Sequence, residues 1–111
     1  MGEFVVSKRK NDEFQFVLKA DNGQIILTSE GYKAKASCMN GVESVKKHSQ
    51  ESDNLEMKTA TNGTFYFNLK ASNGQIIGTS QMYKTEDSRS NGAGSLIKNA
   101  HNAKITDETA A

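Results

Sequence analysis

From Phe14 to Ala20 the chain alternates, with Phe14, Phe16, Leu18 and Ala20 on one side and Gln15, Val17 and Lys19 on the other. Phe65, Phe67, Leu69 and Ala71 repeat the pattern. A period of two marks a strand with one buried face. Each run leads into Asn-Gly, a strong hairpin signal, because a type I′ turn needs positive φ at both central residues. A two-residue loop at Asn22-Gly23 predicts Leu18 opposite Leu27 and Ala20 opposite Ile25. The segments 3–8 (EFVVSK) and 55–60 (LEMKTA) read as further strands closed by polar turns. After Tyr32 the period becomes helical: Cys38, Val42, Val45 and Ser49 recur at i, i+4, i+7 and i+11, matched by Arg89, Ala93, Leu96 and Ala100. Thr85, followed by Glu86 and Asp87, reads as an N-cap with acids in the first turn. Residues 103–107 (AKITD) predict a closing strand.

The two halves are copies. An offset of 51 aligns 14–47 with 65–98, and 19 of those 34 pairs are identical. Two copies are too few for a solenoid, so the halves are expected to close on each other as a pseudo-dimer in one chain. At 111 residues the chain is sized for a single domain, with repeats at 1–52 and 53–111 sharing one core. The class is α+β. Asn40-Gly41 and Asn91-Gly92 fall inside the predicted helices, where glycine costs roughly 1 kcal/mol relative to alanine. Either the helices approach the sheet closely there, or a ligand approaches the backbone.

Both copies carry one long motif, FQFVLKADNGQIILTSEGYK…NGVESVKK and FYFNLKASNGQIIGTSQMYK…NGAGSLIK. Through it the chain resembles the YegP-like family of small bacterial proteins, from about Phe4 to Asp107. The resemblance implies tandem β-β-β-α-β repeats forming one mainly antiparallel sheet. Two helices would pack on one face, with closing strands exchanged between repeats. Some members hold one copy and pair as dimers, which fits a monomer with internal pseudo-twofold symmetry. The second copy departs from the motif at Ala93, Gly94 and Ile97. The family implies no biochemical activity.

Charge and chemistry narrow the function. Fourteen basic and 13 acidic residues give a formal charge of +1, which is no polyanion footprint. A single cysteine, Cys38, excludes an intrachain disulfide, and no apolar run suits a signal peptide or membrane span. A soluble cytoplasmic protein is expected. The polar residues shared by the copies are Lys, Asn, Gln, Thr, Ser and Tyr, whereas Glu30, Glu43 and His48 become Gln81, Gly94 and Asn99. No paired carboxylates recur, so no catalytic residue is assigned and the chain reads as a non-enzyme. His48 and His101 have no ligand partner at metal spacing, so no metal or cofactor is expected. Cys38 reads as a small buried apolar side chain. An enzymatic reading rests only on the recurrence of Ser29, Tyr32 and Lys33 as Ser80, Tyr83 and Lys84.

What remains is surface. With both helices on one face, the bare face is expected to present Gln15, Val17, Lys19, Ile26 and Thr28, with Tyr66, Asn68, Lys70, Ile77 and Thr79 from the second copy. Exposed Ile26 and Ile77 would anchor a binding or assembly module onto another macromolecule or a second copy of the chain. The alternative is single-stranded nucleic acid held by Lys19, Lys70 and Tyr66, by stacking and phosphate contact.

Overall fold

Four tight turns punctuate the chain, and all four use one design. In the computed structural model, which describes residues 2–109, each spans five residues: Arg9–Glu13, Ala20–Gln24, Ala60–Thr64 and Ala71–Gln75. In each, the first N–H donates to the fifth carbonyl at 2.6–2.9 Å, and the fourth N–H donates back to the first carbonyl at 2.9–3.0 Å. The fourth residue is left-handed: Asp12 at φ 69°, then Gly23, Gly63 and Gly74 at 82–85°. The asparagine before it (Asn11, Asn22, Asn62, Asn73) accepts the fifth residue's N–H on Oδ1 at 3.0–3.2 Å. These are three-residue loops with one left-handed position, not the two-residue type I′ turns expected from Asn-Gly.

The longer loop shifts the register. Strands β1 (Glu3–Lys8), β2 (Phe14–Lys19) and β3 (Ile25–Ser29) form an antiparallel meander. Leu18 faces Leu27 as predicted, but Ile25 faces Lys19 rather than Ala20, leaving Ile26 as a β-bulge. Ile26 and Leu27 are therefore opposed to one residue, and both are buried in the core, at 4% and 0% exposure. The second meander, β4 (Leu55–Thr59), β5 (Phe65–Lys70) and β6 (Ile76–Thr79), carries the same bulge at Ile77, which is 5% exposed. This corrects the expectation that Ile26 and Ile77 lie bare on the outer face. Simple alternation puts them there, and the bulge turns them inward.

Helix α1 (Lys35–His48) and helix α2 (Glu86–Ala100) follow the meanders, and β7 (Lys104–Asp107) ends the fold. The stripe Cys38, Val42, Val45 and Ser49 is fully buried, as are Leu96 and Ala100 of α2, with Ala93 nearly so. Thr85 accepts Ser88 N–H at 3.0 Å, the predicted cap. One core cluster draws on both helices and both meanders. A single 3₁₀ turn, Ser52–Asn54, leads from α1 into β4.

The seven strands form one sheet in the order β4-β5-β6-β3-β2-β1-β7. The meanders meet antiparallel at β3–β6, with Thr28 against Thr79. The strand after each helix joins the meander that its helix does not follow: β4 pairs with β5, and β7 runs parallel to β1. The exchange of closing strands is thus present. At the pseudo-twofold centre the copies differ, because Gly78 stands where the first copy has Leu27. A Cβ on Gly78 would lie 2.9 Å from Leu27 Cγ, so one leucine fills the space for both. No helix among the described residues is long and apolar enough to cross a membrane.

Candidate functional site: twin clefts between the repeats

Five of the polar side chains shared by both copies, a tyrosine, two asparagines, a serine and a glutamine, line two clefts related by the pseudo-twofold. The first cleft, about 760 Å³, lies between α1 and the β5–β6 hairpin. Tyr32, Asn40, Gly41 and Ser44 line one wall, Asn73, Gly74 and Gln75 the other, and Ile76 and Ile77 line it as well. The second, about 180 Å³, lies between α2 and the β2–β3 hairpin. Its lining includes Tyr83, Asn91, Gly92, Ser95, Asn22, Gln24, Ile25 and Ile26, each the counterpart of a residue in the first. Every cleft therefore takes its helix from one repeat and its turn from the other. Neither repeat can build one alone.

Local packing fixes the tyrosines. Phe14 and Tyr32 exchange backbone bonds at 2.6 and 2.8 Å, as Phe65 and Tyr83 do at 2.8 and 2.7 Å. This brings each tyrosine back beside the start of its meander. The Tyr32 ring stacks on Phe16 with centroids 6.4 Å apart, and Tyr83 stacks likewise on Phe67. A Cβ on Gly41 would stand 2.5 Å from Tyr32 Oη and 2.9 Å from Phe16 Cε2, and on Gly92 it would collide with the Tyr83 hydroxyl. Gly41 and Gly92 are there for close packing, the first of the two readings. Burial, with Cys38 and Glu30 nearby, pushes the Tyr32 phenol pKa up, keeping it a neutral donor and acceptor.

The clefts are amide- and hydroxyl-rich and hold little that titrates. Glu30 lines the first, and the second has Gln81 in its place. His48 shares its Nδ1 with Ser44 O at 2.9 Å and Ser44 Oγ at 3.0 Å. Asn99 makes the equivalent contacts to Ser95 at 2.8 and 3.1 Å, which explains why the second copy tolerates asparagine. The recurring serine, tyrosine and lysine do not converge. Ser29 Oγ is buried, accepting Phe16 N–H at 2.9 Å and donating to Glu30 O at 2.8 Å, as Ser80 does for Phe67 and Gln81. Lys33 and Lys84 point into solvent. The Cys38 thiol is fully buried, and burial, then Asp107, raises its pKa. Among the described residues no cluster of three metal-ligating side chains occurs.

On the opposite face, Val17, Lys19, Thr28, Tyr66, Lys70 and Thr79 are partly exposed, whereas Asn68 is buried. Thr79 Oγ1 donates to Asn68 Oδ1 at 2.8 Å, and Asn68 Nδ2 donates to Glu56. Lys70 pairs with Glu56 at 3.0 Å, and its hydrogen bond is the main cause of the lowered Glu56 pKa. With Ile26 and Ile77 turned inward, that face keeps a self-satisfied polar network in place of apolar anchors. The sequence missed the cleft side chains of Ser44, Asn73 and Gln75, and raised Asn40 only through the backbone of Asn40-Gly41. Their signal was available: they are identical between copies although, of these side chains, only that of Asn73 bonds within a turn.

Comparison with known proteins places the chain. A family model described as a domain of unknown function, DUF1508, matches twice, at 10–56 and 60–107. The UPF0339 protein YegP of Shigella flexneri is 51% identical over 97% of this chain and 98% of its own length. A UPF0339 protein of Acinetobacter baylyi is 50% identical over 97% of each. The solution NMR structure of the protein of unknown function YegP from Escherichia coli matches at TM-score 0.94 and 49% identity, covering 99% of this chain and 95% of that one. The chain is accordingly a tandem member of the DUF1508 family, with each matched unit contributing one helix and one hairpin to the paired clefts.

Proposed function

We propose that this protein is a non-enzymatic binding module whose two clefts hold neutral ligands rich in amide or hydroxyl groups. One observation carries the reading: five polar residues that the copies share, a tyrosine, two asparagines, a serine and a glutamine, recur in the linings of two clefts, each built from both repeats. Asparagine and glutamine offer donors and acceptors together, so they match peptide or sugar groups without demanding charge. The isoleucines supply the apolar contact usual in small-ligand sites. An acid–base pair common to both clefts is missing from their linings, which favours binding over turnover.

A titration of the ¹⁵N-labelled chain with N-acetylglucosamine and with N-acetylalanine methylamide tests this. Either probe is expected to shift the side-chain amides of Asn40, Asn91, Asn22 and Asn73, and Asn40→Ala with Asn91→Ala abolishes those shifts. Shifts confined to Lys19, Tyr66 and Lys70 on the opposite face would overturn the reading, as would none at all.

A further inference from the structure

The pseudo-symmetry leaves one strand edge without its counterpart. Strand β1 is covered on its outer side by β7, which runs parallel to it with Phe4 beside Ile105 and Val6 beside Asp107. Glu108 N–H donates to Val6 O at 2.8 Å. The strand equivalent to β1 is β4, with Leu55 in place of Phe4 and Met57 in place of Val6. Among the described residues no strand pairs with its outer edge. Phe67, opposite Met57, gives its N–H to Ser80 Oγ and accepts Ser80 N–H on its carbonyl. Residues directly opposed in an antiparallel pair exchange both bonds or neither, so the Met57 N–H and C=O point outward. Met57 is 46% exposed, whereas Val6 is wholly buried. An unpaired edge of this kind is a template for an added strand.

The corner charge selects the strand. In the first copy Lys35, the first residue of α1, pairs with Asp107 of β7. Its counterpart in α2 is Glu86, followed by Asp87, both exposed. Arg89, nearby, is engaged: Nη1 donates to Lys58 O at 2.9 Å, and the guanidinium lies 5.2 Å over the Phe65 ring. We infer that the outer edge of β4 accepts a parallel strand from a partner protein, with a basic residue at the register that Asp107 holds on β1. The chain's own β7 sequence places an aspartate against Glu86 there, so like charge disfavours head-to-tail exchange of β7 between copies.

The test titrates the ¹⁵N-labelled chain at low salt with a peptide of residues 102–109 and with the same peptide carrying Asp107→Lys. The lysine peptide is expected to shift the Leu55, Met57 and Thr59 amides and to bind about two- to fivefold tighter than the native one, the size expected of exposed charge pairs. A Glu86→Lys chain reverses that preference. Tighter binding of the native peptide to the unaltered chain would overturn the inference, as would a preference that Glu86→Lys leaves unchanged. Shifts at β1 in place of β4, or no shifts with either peptide, would also overturn it.

Discussion

Asp12 holds a turn position that the other three loops give to glycine, at φ 69°. A left-handed conformation is unfavourable for residues with a Cβ, and aspartate tolerates it better than most because its short side chain bonds locally. Its ion pair with Lys8, at 3.8 Å and with an 89% exposed carboxylate, offsets little of that strain. Asp12→Gly relieves the backbone but enlarges the unfolded ensemble. The expected net is a stabilisation of up to about 1 kcal/mol, read as a raised urea midpoint at unchanged m-value. The residue scale is also where the sequence was hardest to read. Asn-Gly serves a type I′ turn and this three-residue loop equally, because glycine is left-handed in both. The two differ by one residue of register, and that residue decided where Ile26 and Ile77 point.

Among the elements, β7 depends most visibly on charge. It is a four-residue edge strand, and Asp107 ties it to the start of α1 through Lys35. Bonds from Lys35 and then Thr109 hold the Asp107 carboxyl at about 2, below its ordinary 3.8. A depressed carboxylate stabilises the fold above its unfolded value, and that contribution disappears as pH falls from about 4 toward 2. Protection of the Thr106 and Glu108 amides, taken relative to their intrinsic exchange rates, should therefore fall over that window in the unaltered chain. In Lys35→Ala it starts lower and changes less, so parallel pH profiles would show that the pair does not hold β7. Strand and helix positions were legible because alternation and the i, i+4, i+7 stripe record burial directly. The clefts were not, because they arise only when a helix of one repeat meets the turn of the other, a relation no local period encodes.

For the whole molecule, the pseudo-twofold is imperfect at its centre, and that imperfection makes the order of the halves matter. Leu27 is fully buried across the β3–β6 seam from Gly78, which has no room for a Cβ. A fragment of residues 1–59 retains three strands, α1 and β4, and exposes β3 where β6 belongs. Two such fragments can rebuild the sheet, with β4 of each taking the place of β7 beside β1 of the other. They would, however, bring Leu27 against Leu27 where the intact chain sets leucine against glycine. Overpacking of this kind typically costs about 1–3 kcal/mol. Two fragments carrying Leu27→Gly leave a void at the same spot, with a penalty of similar order. A mixture of the two forms restores one leucine and one glycine. The heterodimer should therefore exceed the statistical half of all dimers when equal amounts are mixed and examined by native mass spectrometry. A purely statistical distribution would mean that the seam relaxes around either pairing. Two separately folded monomers would mean that the halves do not need each other at all.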